Sequence, residues 1–428
     1  MARYLSLSWF FIFGFTMALV QPSNVDAADN QTEKAGRPQD WPQWRGPSRD
    51  GHVAGSDWPD SLTEENCRQI WRIPLGPSYS GPIVAADRVF VTETKDKKTE
   101  IVRALSRESG QELWQVQWPG SLSVPFFAAS NGSWIRATPA YDGSSIYVAG
   151  MKDVLVCLAA ADGKERWRLD FVAELKTALP AFGFVSSPLI QGDHLYVQAG
   201  MSLVKIDKAS GKISWRSLEE NDGMMASAFS SPVLATVTGR QQLLVQTRQD
   251  LCGVNPESGE VLWKQTIPSF RGMNILTPTV VGNDVFTSSY GGGTNLYAVT
   301  GNTDGLQVAS KWETKSQGYM SSPVVIDGYL YLHLRNQRFT CIELTTGKEM
   351  WTTKPFGKYW SLVAQKDKIM ALDAKGDLLL IRANPEKFDL LGSRKVSDDE
   401  TWAHLAVSGD ELYVRELNAI AKYRWGAQ

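Results

Sequence analysis

The chain has 428 residues, of which 43% are hydrophobic and 21% charged, with 36 Gly and 16 Trp. That is ample apolar material for a core, and it excludes a disordered chain. With 44 Lys+Arg against 46 Asp+Glu the net charge is -2, so bulk charge attracts neither nucleic acid nor an anionic membrane surface.

The first feature in chain order is an export signal: Arg3, an apolar run from Leu5 to Val20, and Val25-Asp26-Ala27 as a small-residue cleavage site. Cleavage after residue 27 is expected to leave a periplasmic or extracellular protein. An uncleaved anchor is the competing reading, but the run is short of the ~20 apolar residues that a spanning helix needs. The mature protein is therefore expected to have no stable membrane span. The first cysteine is Cys67, so no lipid acceptor follows the apolar run. Residues 28–69 read as a polar leader and an N-terminal arm, and residues 70–428 as one domain. The four cysteines are spaced too widely for a metal knuckle or a small stapled scaffold, and they read as buried, unpaired residues.

A repeat of about 45 residues then occupies the rest of the chain. Its first half is a small residue, Pro, an apolar pair, a turn and an alternating strand. Such starts occur at Gly81-Pro82, Thr138-Pro139, Ser187-Pro188, Ser231-Pro232, Thr277-Pro278 and Ser322-Pro323. Its second half is a strand, a turn ending in Gly and a strand carrying Trp four residues later. Gly110/Trp114, Gly163/Trp167, Gly211/Trp215, Gly259/Trp263 and Gly347/Trp351 keep that spacing. Gly suits a positive-φ turn, and each Trp is expected to pack between adjoining sheets. A degenerate seventh repeat starts at Ser361-Leu362 and an eighth at His404-Leu405, one strand short. Ile70 to Leu75, with Trp71, resembles the Trp-bearing outer strands and supplies the missing one. Four strands per unit predict an all-β, eight-bladed β-propeller of four-stranded antiparallel blades, closed by an N-terminal strand joining the last blade. Seven blades is the alternative if the seventh repeat is misread. Trp41, Trp44 and Arg45 are expected to dock across the closure, with Arg45 on an acid or an aromatic ring.

With Leu203 to Trp215 carrying Asp207, Gly211 and Trp215 in register, the repeat resembles that of the pyrroloquinoline-quinone (PQQ) propeller superfamily. The resemblance covers roughly Ile70 to Trp425. It implies either quinoprotein dehydrogenases or the non-enzymatic BamB propellers of outer-membrane β-barrel assembly. Trp41-Pro42-Gln43-Trp44-Arg45-Gly46-Pro47 also looks like the opening of exported PQQ-like repeat proteins. The dehydrogenase branch implies PQQ over a disulfide between adjacent cysteines, with Ca²⁺ in a cluster of acids and amides. No two cysteines are adjacent here, and no tight acidic group stands out, so no cofactor is expected, and PQQ with calcium is the alternative.

The residues before the prolines, ending with His404, should ring the channel mouth. Larger side chains on the connections leading into the inner strands form a candidate binding face of Trp134, Arg136, Phe184, Phe229, Asn274, Tyr319, Trp360, Trp402 and His404. The longest such connection adds Phe126 and Phe127. These groups suit an extended peptide or a sugar. The expected function is a monomeric, non-enzymatic scaffolding propeller whose partner is a protein or another cell-envelope component. A quinoprotein oxidoreductase and a carbohydrate-binding propeller are the alternatives.

Overall fold

The repeat folds where turn residues bracket β-branched and aromatic runs, and the third repeat shows the pattern. Strands Leu189–Gln191, His194–Ala199, Ser202–Asp207 and Ile213–Ser217 pair in chain order as one antiparallel sheet. The computed structural model describes residues 40–55, 57–220, 227–302 and 305–426. The expected signal and the start of the leader, residues 1–39, lie outside them. The described residues form eight such four-stranded sheets, the blades of an eight-bladed propeller. The seventh, degenerate repeat is a complete blade, with strands Trp360–Gln365, Lys368–Asp373, Asp377–Arg382 and Asp389–Lys395.

The eighth blade is closed as expected, by a somewhat longer strand. Cys67–Pro74 pairs antiparallel with Ala419–Trp425, bulging between Gln69 and Trp71. Glu411 reinforces the seam between the eighth blade and the first. It accepts hydrogen bonds from Arg107 Nε at 2.7 Å, Tyr413 OH at 2.7 Å, Lys422 Nζ at 2.7 Å and Arg424 Nη2 at 2.9 Å. Burial alone would raise its pKa, but these donors outweigh burial and hold the carboxyl at about 2. All four cysteines are free and buried.

The repeated Gly and Trp meet across blades. A Cβ on Gly211 would lie 2.7 Å from the ring of Trp167, the tryptophan of the preceding blade, and its φ is +72°. Gly110, Gly163 and Gly259 lie in the same way under Trp71, Trp114 and Trp215. The indole N–H then donates to a turn carbonyl of the next blade: Trp71 to Arg107, Trp114 to Ala160, Trp167 to Lys208 and Trp351 to Asn384. Each such bond contributes about 1 kcal/mol. Trp312, outside the four-residue spacing, makes the same contact with Leu344 and Gly347. Trp263 keeps the spacing but turns into its own blade, donating to Gln242 Oε1 at 2.7 Å over Gly253. In the next blade the hairpin of Gly293–Asn302 and Gly305–Thr314 is extended, and neither Gly301 nor Gly305 beside its turn lies under the Trp263 ring.

The small residues at the inner-strand starts form a hydrogen-bond relay. The backbone N–H of Gly81 donates to Thr138 Oγ1, Thr138 to Ser187 Oγ, Ser187 to Ser231 Oγ, Ser231 to Thr277 Oγ1 and Thr277 to Ser322 Oγ, over 2.9 to 3.3 Å. A hydroxyl at this position therefore does more than fit a crowded channel: it satisfies a buried N–H of the neighbouring blade.

Candidate functional site

The N-terminal arm builds the floor of the site. Trp41 bridges Val84 of the first inner strand, and Pro42 accepts from Tyr141 N of the second blade. After a turn, Gly51 and Val53 exchange hydrogen bonds with Ala364 of the seventh blade. The arm thus enters the channel from the end remote from the relay and returns, with residues 44–49 as its tip. There Arg45 Nη2 donates to Pro323 O at 2.5 Å, while Arg49 donates to Pro188 O at 2.7 Å and Ser187 O at 3.1 Å. Both guanidiniums lie against the Trp44 ring, at 5.6 and 5.7 Å. The arm plugs the channel itself, and Arg45 binds carbonyls and Trp44 where an acid was one expected partner. Burial pushes Arg45 down to about 10, and burial beside Arg45 pushes Arg49 to about 9. Both remain charged at neutral pH.

Above Trp44 the channel mouth opens into a cavity of about 440 Å³. Its wall comes from the connections that lead into the inner strands, and is rich in aromatic side chains. Phe127 packs edge-on against Phe182 and Phe182 against Phe229, at 6.3 and 5.5 Å between ring centres. Across the mouth, Trp402 lies 5.1 Å from Tyr79 and 6.5 Å from Tyr359. Tyr319 OH donates to Met273 Sδ at 3.7 Å. Phe126 is 91% exposed and Phe270 44%, so part of this apolar surface faces solvent at the rim.

Of the residues expected on this face, Arg136, Phe229, Tyr319, Trp402 and His404 line the cavity. Trp134 stands beside it, its carbonyl accepting from Arg136 Nε at 3.2 Å. Three others are turned into the core. Phe184 packs edge-on against Phe171. Asn274 is buried, donating to Arg248 O at 2.9 Å. Trp360 is buried, stacked on His333 at 5.2 Å and donating to Asp373 Oδ2 at 2.8 Å. Each misplacement is one of direction: Tyr359 and Phe182, one and two positions away, face the cavity instead. Trp44, Phe270, Arg248 and Arg271 were not expected at this site. For Trp44 no local signal exists, because its place depends on the arm crossing the ring.

His404 replaces the relay hydroxyl in the eighth blade. Its Nδ1 lies 2.9 Å from Leu405 O, and since a carbonyl only accepts, Nδ1 carries the proton. Burial, with the nearby Arg45 charge, holds its pKa down at about 3, so the imidazole is neutral. Nε2 is then a bare acceptor with no hydrogen-bond partner among the described residues.

The donor set does not fit a quinone held with calcium. The cavity lining contains no carboxylate, and among the described residues no three His, Cys, Asp or Glu side chains group together. The arrangement instead offers aromatic faces and guanidinium donors.

A profile of the family described as outer membrane protein assembly factor BamB matches residues 97–353. The BamB of Yersinia pestis is 21% identical over 388 residues, covering 86% of this chain and 91% of that protein. The BamB of Moranella endobia is 22% identical over 373 residues, covering 82% and 88%. In structure, BamB from Moraxella catarrhalis superposes with a TM-score of 0.61 at 15% identity, covering 85% of this chain and 98% of that one, which shows the shared fold. The profile spans more than half of the sequence, and the chain belongs to the outer membrane protein assembly factor BamB family.

Proposed function

We propose that this protein is an exported, non-enzymatic propeller of outer-membrane protein assembly that engages an extended polypeptide at the arm-floored channel mouth. The observation that carries this reading is the aromatic cavity with the exposed Phe126 and Phe270 at its rim. Rigid aromatic rings around a preformed concavity suit apolar side chains of a segment that has not yet folded. The BamB relatives support the assembly role, and the signal-like start supports a periplasmic location. No helix among the described residues is long and apolar enough to cross a membrane.

The test is direct binding of fluorescein-labelled peptides of about ten residues with alternating apolar and polar positions, the pattern of outer-membrane strands. Anisotropy should rise on adding the protein, and a Phe127→Ala, Tyr319→Ala double variant should weaken binding at least roughly tenfold. An unchanged affinity in that variant, or no binding by the parent protein, overturns the reading.

A further inference from the structure

The charges at the cavity are unlike those of the whole chain. Three guanidiniums, those of Arg136, Arg248 and Arg271, line it with no Asp or Glu among them, in a protein whose net charge is -2. Directly under Trp44 lie two more, Arg45 and Arg49. Arg136 donates only to neutral groups, the carbonyls of Trp134 and Gly132, both at 3.2 Å. Among the described residues Arg45, Arg49 and Arg136 form no ion pair with a carboxylate. Glu400 is engaged by the OH of Tyr79, a lining residue, at 3.1 Å. Elsewhere a buried cation is either paired, as Arg107 and Lys422 are by Glu411, or capped by backbone carbonyls, as Arg415 is by those of Gly76, Thr92 and Ala419. An apolar cleft with charge of one sign focuses its field into the cavity, where water screens poorly.

Resting on the polypeptide reading above, we infer that the site selects segments in which an aromatic residue stands beside a carboxylate. The ring enters among Phe127, Phe182 and Phe229, and the carboxylate, which supplies the negative charge that the cavity lining lacks, meets Arg136. A planar guanidinium on a half-buried wall is the residue type best suited to hold a carboxylate through two parallel hydrogen bonds.

Isothermal titration of the full protein with three blocked pentapeptides tests this: Gly-Phe-Glu-Phe-Gly, the same with Gln for Glu, and the same with Leu for both Phe. The first should bind roughly tenfold more tightly than the second at low salt, with the advantage shrinking as salt rises. The third should be weaker than the first. Arg136→Gln should abolish the Glu-over-Gln preference, and Arg136→Lys should restore part of it. Unfolding midpoints of both variants establish that the fold is kept. Equal affinity for the Glu and Gln peptides overturns the acidic preference and leaves the polypeptide reading standing. No binding of any peptide overturns both. Displacement of the Glu peptide by free glucuronate at equal affinity overturns the inference in favour of an acidic sugar.

Discussion

The arc of blades one to six and the seam at blades seven, eight and one solve the same problem differently. In the arc, neighbouring blades are joined by small repeated contacts: an indole over a glycine, an N–H to a turn carbonyl, a relay hydroxyl; the seam keeps the first two through Trp71, over Gly110 and bonded to Arg107. Each is weak, and their sum does not depend on one of them. At the seam the relay is altered: Gly81 and His404 carry no hydroxyl, and Ser361 Oγ accepts from Leu405 N at 2.8 Å. One carboxylate, Glu411, gathers Arg107, Lys422, Arg424 and Tyr413 in its place. The contrast teaches that a repeat protein tolerates a lost contact in its arc better than at its seam, where one residue holds several partners.

The sharpest break of that comparison is Glu411→Gln. It strands buried cations, and should destabilise the protein by about 3–5 kcal/mol in urea unfolding. A loss under about 1 kcal/mol would place the seam's strength in strand pairing alone. Next comes Gly211→Ala, expected to cost about 1–3 kcal/mol because the new methyl meets Trp167 in a positive-φ turn. Gly192→Ala is its control, since φ there is also positive but the space is open, and it should cost less. Equal losses would mean that backbone strain, and not the Trp contact, sets the effect. Ser231→Ala leaves the Ser187 N–H unsatisfied and should cost about 1–2 kcal/mol, less than Glu411→Gln.

The smallest effect expected is the parent protein's pH response between about 4.5 and 6.5. Burial holds His333 at about 4 and His404 at about 3. Their contribution is complete above the unfolded value near 6.5 and is lost as pH falls towards those values. Burial raises Glu100 and Asp153 in the arc to about 7, so their contribution is greatest at acid pH and is lost as pH rises towards 7. The two trends oppose, and the midpoint measured by scanning calorimetry should vary little across that window. Below it stability should fall, as the unfolded chain protonates carboxyls such as Glu411 that the fold keeps charged. Glu100→Gln removes one raised acid and should gain on the parent as pH rises from 4.5 to 7. A parent curve that climbs steeply towards acid would show that the histidines carry no weight.

The fold was largely legible in the sequence. The Gly-to-Trp spacing marks the blade turns, and the orphan strand around Trp71 identifies the closure. What a four-residue spacing could not convey is that each Gly serves the Trp of the blade before it. Trp312 escaped because an extended hairpin shifts it out of register, and Trp263 misled because the same hairpin does not bring Gly301 or Gly305 under its ring. The site was legible only in part. Repeat alignment brings Arg136, Phe229, Tyr319, Trp402 and His404 to the channel mouth, but cannot tell which of two neighbouring loop residues faces inward, as Tyr359 and Trp360 show. Trp44 depends on a crossing of the whole ring.

The closing strand also has a consequence in time. Arg72 grips Glu416, 344 positions later in the chain, by two hydrogen bonds of 2.8 Å. Synthesis from the N-terminus presents Cys67–Pro74 long before its partner Ala419–Trp425 exists. Until then its unpaired edge is open to any extended chain nearby. The last step of folding is therefore the meeting of the two most distant strands, a slow, high-contact-order event. Completion of the ring thus reports that the whole propeller sequence is present.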